Sequence, residues 1–312
     1  MSERLKVKLG SIEINNPVIL SSGCVGNAVE IDPFTDLGIP GGVTLKTVTK
    51  EPRNGNPPPR IIDVCGGLLS SVGLMNIGIE KYLAQALPDA ARILRPDQLI
   101  VSVGGSVIED FVFAVSAIAE KYEKHEIAAL ELNACCPNVN AGGAAFSSDP
   151  DLVQRLTEQV RRVSPYPVIV KIITNYPNMI DVAKAAEAAG ADAINLSVSP
   201  MGIAIDIKKK KPYFHNIKAA FSGPLVKPIG ILKTWDLYGE VSVPIIACGG
   251  IACAEDVIEY MMAGLTAAGI GAMNFVNPKI GEEVVSGLEK YCEENDISNI
   301  SEIIGIAHIP AP

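Results

Sequence analysis

Eight short runs of nearly unbroken apolar residues constrain the fold of this chain more than any other feature. They are Pro17–Ser21, Gly42–Val48, Leu99–Val103, Ala128–Asn133, Val168–Ile173, Ala193–Val198, Pro244–Ala247 and Ala268–Gly271. Each has the length of a strand. Continuous apolarity, as opposed to alternation, is the pattern of a parallel strand covered on both faces. Stretches with helical spacing lie between them, among them Val107–Lys121, Asp151–Val163, Met179–Ala189 and Ala254–Ala263. Eight strands alternating with helices predict an α/β fold of the (β/α)8 TIM-barrel type, and 312 residues suit one such domain. A doubly wound sheet is the rival. It more often carries a glycine-rich fingerprint after its first strand, and SSGCVGN at Ser21–Asn27 matches G-x-G-x-x-G poorly.

In a barrel of this kind the chemistry sits at the carboxyl ends of the strands, and polar residues and glycines gather there. The first run leads into Ser21, Ser22 and Gly23, and the second carries Lys46 and Thr47. The third leads into Ser102 through Ser106, and the fifth bears Lys171, with Asn175 beyond it. The sixth leads into Ser197 and Ser199, the seventh into Cys248, Gly249 and Gly250, and the eighth into Gly271 and Ala272. The pairs Gly249–Gly250 and Gly271–Ala272 fall where barrels of this type cradle a phosphate with backbone N–H groups. Lys46 and Lys171, if buried at the mouth, require an anionic partner or an electron-rich acceptor. A flavin mononucleotide meets both requirements, since its reduced ring carries negative charge near N1.

Bulk properties exclude several classes. With 48% apolar and 20% charged residues the chain is globular and core-rich. A net charge of −9 argues against a nucleic-acid surface, which needs clustered Lys and Arg. The one basic run, Lys208 to Lys211, reads as a solvated loop. Seven scattered cysteines and an amino terminus without an apolar signal core suggest reduced thiols and a cytoplasmic location. No apolar run is long enough to span a bilayer. Three histidines, none near another in sequence, give little support to a metal site.

The segment ELNACCPNVNAGG, Glu131 to Gly143, begins as a strand and ends as a loop. Asn133 and Asn138 each offer a carbonyl acceptor and two N–H donors, suited to a flat ring bearing amides. The adjacent cysteines supply a group able to take a proton near neutral pH.

Together with NPVILSSGC (Asn16–Cys24), TLKTVT (Thr44–Thr49), PRNGNPPPR (Pro52–Arg60), GLMNIG (Gly73–Gly78), GGAAFSSDP (Gly142–Pro150), FSGPLVKP (Phe221–Pro228) and IIACGGI (Ile245–Ile251), this segment resembles the class 1 dihydroorotate dehydrogenases, above all the class 1B catalytic subunit. The resemblance runs over nearly the whole chain. Each motif alone is weak, and the ordered collection is specific. It implies an FMN-binding barrel with one FMN per chain. It also implies a pyrimidine-biosynthetic oxidation in which a hydride leaves dihydroorotate for the flavin and a cysteine takes a proton from C5. The base of the family motif is the cysteine before the proline, here Cys136, with Cys135 in the usual serine place. Motif matching puts Lys46, Asn76, Asn133, Asn138 and Ser199 on the substrate side. It puts Ser22, Gly23, Lys46, Thr47, Ser102, Asn133, Lys171, Ser222, Gly223, Gly249, Gly250, Gly271 and Ala272 on the cofactor side. The loop of about 137–150 resembles the family's active-site flap. The resemblance further implies a homodimer, or a heterotetramer with an electron-transfer subunit supplying FAD and an iron–sulfur cluster. This chain has no cysteine spacing for such a cluster and no dinucleotide fingerprint.

The chain departs from the family pattern at three places. Ser70 and Val198 stand where the family usually has asparagine against the substrate, and Ser102 replaces another asparagine near the flavin. Each lost partner of a buried ring amide costs about 1–3 kcal/mol. Two alternatives follow: dihydroorotate in a repacked pocket, or a less polar cyclic amide or enone. A dihydrouridine synthase, which also has a Cys-Pro loop, is a lesser alternative, disfavoured by the acidic net charge.

Overall fold

In a computed structural model of the chain, residues 3–135 and 146–308 are described. Eight parallel strands form a closed barrel: Val18–Leu20, Gly42–Thr44, Leu99–Val103, Ala129–Asn133, Val168–Ile173, Ala193–Ser197, Ile245–Cys248 and Ala267–Ile270. Each pairs with the next in sequence, and the eighth returns to the first through Ala268↔Val18, Gly269↔Ile19 and Ile270↔Leu20. All eight predicted runs are barrel strands. The second is shorter than its apolar run, although beyond it the Leu45 and Val48 N–H groups still bond the Ile100 and Ser102 carbonyls of the third strand (both 2.9 Å). The Lys46 N–H bonds the Gly26 carbonyl (2.8 Å) in place of a barrel neighbour. Lys46 lies at the carboxyl end of the barrel.

The helices follow from caps and apolar stripes. Asp149 accepts from the N–H groups of Asp151 (3.0 Å) and Leu152 (3.4 Å) and starts the helix Pro150–Val163, with proline in the first turn where its missing N–H costs nothing. Leu152, Val153, Leu156 and Val160 lie on its buried face, and Arg161 and Arg162 occupy the last turn, favourable for the helix dipole. Met179–Ala188, Ala254–Met262 and Ile280–Glu294 bury comparable stripes on the outside of the barrel.

Two additions were not apparent in the sequence. A hairpin, Val7–Leu9 with Ile12–Ile14, buries alternate residues, and its Gly10 turn touches Asp192, just before the sixth strand. A Cβ at Gly10 would lie 2.7 Å from the Asp192 carbonyl oxygen, with φ at +61°, so this turn requires glycine. The second addition is an antiparallel sheet in the order Met201–Gly202, Ala219–Ser222, Gly67–Ser70, Ile61–Val64. It brings residues from all four strand segments or their flanks toward the carboxyl end of the barrel. The basic run lies where expected: Lys208 to Lys211 are exposed, and the turn before them is fixed by Asp206 accepting from the N–H groups of Lys208 and Lys209.

Candidate active site

A cavity of about 700 Å³ opens at the carboxyl ends of the strands. This is within the range of small-molecule and cofactor sites. Most of the expected positions converge on its wall: Ser22, Gly23, Lys46, Asn76, Lys171, Ser199, Ser222, Gly223, Gly249, Gly250, Gly271 and Ala272. Thr47, Ser102 and Asn133 lie behind that wall as a bonded layer. Thr47 Oγ1 is 3.2 Å from Ser22 Oγ and 2.9 Å from Ser102 Oγ, and accepts from Asn133 Nδ2 at 3.2 Å. Cys136 and Asn138, the expected base and a substrate contact, lie outside the described residues, as does most of the expected flap.

The donors in this layer have a direction. Ser22 Oγ donates to the Leu45 carbonyl (2.7 Å) and Ser102 Oγ to Glu131 Oε1 (2.9 Å). A hydroxyl has one proton, so the Thr47 proton serves either Ser22 or Ser102, and the Ser102 contact is the shorter of the two. Glu131 also accepts from Asn195 Nδ2 at 2.7 Å, and Asn195 Oδ1 accepts from Cys248 Sγ at 3.3 Å. Lys171 Nζ completes the set 3.7 Å from Glu131 Oε1. Thr47, Ser102, Asn195 and Lys171 therefore all point, directly or through one neighbour, at a single carboxylate that is 2% exposed.

Electrostatics follow from this packing. Burial disfavours the Lys171 ammonium, but the neighbouring Glu131 carboxylate, the largest opposing influence, outweighs it. The lysine's pKa is raised, and it is charged at every ordinary pH. Burial pushes the Cys24 thiol up to about 11 against the pull of Lys171 and Lys46, and raises Cys248 too, so neither is a nucleophile near neutrality.

Two glycine turns shape the floor. Gly249 has φ +139°, and a Cβ there would lie 2.6 Å from the Val198 carbonyl oxygen. Gly250 has φ +79°, and its Cβ would strike the Lys227 backbone at 2.4 Å. At Gly271 the only atom of the described residues within 4 Å of a Cβ would be Cys24 Sγ at 3.8 Å, so among them this position faces open space that a side chain would fill. Backbone that approaches the cavity without side chains, beside Lys46 and Lys171, fits a phosphorylated, electron-accepting ring. Lys227 is not available to it, being engaged by Asp256 (2.8 Å) and Glu259 (2.9 Å).

Asn76 reaches the wall with its amide already bonded within its own loop. It donates to Thr49 Oγ1 (2.9 Å) and the Leu74 carbonyl (2.8 Å), and it accepts from the Gly78 N–H (2.9 Å). Ser70 and Val198, the departures from the family pattern, both line the cavity. The same lining includes the apolar side chains of Ile61, Leu68, Val72, Met75 and Phe275. Sequence reasoning passed over Glu131 and Asn195. The signal was present: a carboxylate and an amide each stand in mid-strand between buried apolar neighbours, Leu130 and Leu132 for Glu131 and Ile194 and Leu196 for Asn195.

The comparisons with known proteins agree with one another. The family model described as dihydroorotate dehydrogenase matches residues 4–292. The chain is 39% identical to the "Dihydroorotate dehydrogenase B (NAD(+)), catalytic subunit" of Alkaliphilus metalliredigens, over 96% of this chain and 98% of the relative. It is 38% identical to the protein of that name from Desulforamulus reducens, covering 99% and 100% of the two chains. A Geobacillus protein of the same name is 41% identical over 97% and 95%. The chain belongs to the dihydroorotate dehydrogenase family, a family of oxidoreductases that use a flavin.

Proposed function

We propose that this member of the dihydroorotate dehydrogenase family holds FMN in the barrel-mouth cavity and oxidises dihydroorotate to orotate with Cys136 as base. When bound, FMN accepts the hydride equivalent removed from the substrate. The chain's own residues do the rest. The turns at Gly249–Gly250 and Gly271–Ala272 admit the phosphate, and Lys46 and Lys171 supply positive charge beside the ring. Asn133, held by Thr47, and Asn138 orient the substrate's amide edge, and Ser199 lies across the same cavity. Cys136 takes the C5 proton, and the loop of about 137–150 keeps water from the reacting atoms.

One observation carries this reading: a single cavity collects the two glycine turns and two lysines from separate strands over a fully bonded polar layer. The names of the relatives add a partner. Those relatives are named catalytic subunits of an NAD(+) enzyme, which supports a partner subunit as the route to NAD; the FAD and iron–sulfur cluster that the motif resemblance implies would then belong to that partner.

The cavity wall favours a second reading, a less polar cyclic amide, because Ser70 and Val198 offer fewer amide contacts beside Leu68, Val72 and Met75. Anaerobic mixing of the yellow protein with dihydroorotate distinguishes the two. Bleaching of the flavin band is expected, and a full complement of FMN that stays oxidised would sink the dihydroorotate reading. In Cys136→Ser, bleaching is expected to slow by about 10²- to 10⁴-fold with FMN content unchanged. Unchanged reduction would move the base elsewhere.

A further inference from the structure

Glu131 has no place in the chemistry described so far, yet it is a buried carboxylate beneath the cavity with partners on both oxygens. Its Oε1 accepts from Ser102 Oγ at 2.9 Å and faces Lys171 Nζ at 3.7 Å, and its Oε2 accepts from Asn195 Nδ2 at 2.7 Å. These groups come from four successive barrel strands. The amide of Asn195 is held in this orientation by Cys248 Sγ, itself bonded by Ser21 Oγ at 3.2 Å. Two neutral donors fix the carboxylate tightly, whereas the ammonium stands off by nearly a full ångström more. Lys171 is therefore tethered to Glu131 without being closed onto it, and it lines the cavity.

We propose that Glu131 is a positioning residue for the flavin. Through Lys171 it sets how much positive charge the cavity wall presents to the ring, and so sets the potential at which the ring accepts electrons. A fully charged lysine with no counter-ion favours the reduced, negatively charged flavin, and a carboxylate held behind it moderates that preference. Ser102, Thr47 and Asn195 act in turn by pinning the carboxylate, so that it does not swing to meet the ammonium.

The inference rests on FMN occupying the cavity. Wild-type protein that purifies without flavin absorbance and takes up no FMN would overturn that reading, and with it the premise here. Given flavin-loaded wild type, the test is the two-electron reduction potential of the bound flavin and its affinity, measured in Glu131→Gln, Lys171→Met and the double variant. Glu131→Gln is expected to shift the reduced-to-oxidised ratio at a fixed ambient potential about tenfold toward reduced, ~30 mV for a two-electron couple. Lys171→Met is expected to shift it the other way. In the Lys171→Met background, adding Glu131→Gln is expected to have less than about a third of its effect in wild type, because its route is gone. An equal shift in both backgrounds, or no shift with FMN normally bound, overturns the proposal. Should Glu131→Gln fail to fold, the double variant, which removes both charges together, is expected to fold and bind FMN. Failure of both would assign Glu131 a purely architectural role.

Discussion

The barrel interior and the antiparallel sheet at its mouth line the same cavity and are built on opposite principles. Beneath the cavity, polar side chains from neighbouring strands are fully buried and bonded to one another: Thr47, Ser102, Glu131 and Asn195 are each no more than 4% exposed. At the mouth, Ile61, Met201, Ile203, Ile205 and Ile207 are exposed, and the small core beneath them consists of Leu69, Phe214 and Ala219. Polar groups withdrawn from water must satisfy one another, and the geometry that results is rigid. An apolar surface half in water carries no such obligation and can change residue by residue. Of the three departures from the family pattern, Ser70 lies in the mouth sheet and Val198 at the cavity wall, whereas Ser102 is absorbed into the bonded layer as a donor to Glu131. The floor of the cavity is held by bonds and its mouth by packing.

The largest expected effect strikes the bonded layer. Glu131→Ala leaves the Lys171 ammonium buried without its carboxylate and is expected to cost about 3–5 kcal/mol of global stability, read from denaturant unfolding. A loss below about 1 kcal/mol would mean that the layer is far less committed than its bonds indicate. Leu69→Ala, in the core of the mouth sheet, is expected to cost about 2–3 kcal/mol. That loss should be local: faster amide exchange over 61–70 and 201–222, with the barrel amides unchanged. Accelerated exchange in the barrel strands as well would erase the distinction between the regions.

A third, smaller effect concerns the turn at Gly249–Gly250. Behind it Asp256 accepts from the N–H groups of Ala252 (2.7 Å) and Cys253 (3.2 Å) and from Lys227 Nζ (2.8 Å). Burial alone raises its carboxyl pKa, but the Lys227 bond and the Ala252 N–H outweigh burial, so the value is lowered. A carboxyl with a lowered folded pKa stabilises above its unfolded value, near 4, and loses that contribution as pH falls through the folded value. Asp256→Asn is thus expected to cost about 1–2 kcal/mol at pH 7. The gap between variant and wild type should close in melts below about pH 4, and a gap independent of pH would remove the charge from the explanation. The smallest effect is expected at Ile207, 84% exposed in the mouth region. Ile207→Ser should fall within about 0.5 kcal/mol of wild type in stability, with unchanged flavin content. A larger effect would show that this face is buried in the functional assembly.

Much of this was legible in the sequence, and the particular residues explain why. Val168–Ile173 and Leu99–Val103 were readable to the residue because a parallel strand covered on both faces writes its burial into consecutive positions. Lys46, Gly249 and Gly271 were readable because they follow such strands, and strand ends face the site in a barrel. The mouth sheet escaped notice. Ile61–Val64 alternates exposed and half-buried residues, and Met201–Gly202 is only two residues long. Neither segment carries a periodic signal of useful length.

The sequence by itself determined the barrel, its order of strands, the glycine turns and the family, since all of these are written in local periodicity and contiguous motifs. Only the tertiary structure decided what Glu131 bonds to. Its donors Ser102 and Asn195 lie 29 residues before it and 64 after it, and no local pattern links them. Barrel closure makes them neighbours, and the energetic cost of an unsatisfied polar group in a dry interior then fixes which atom each one holds.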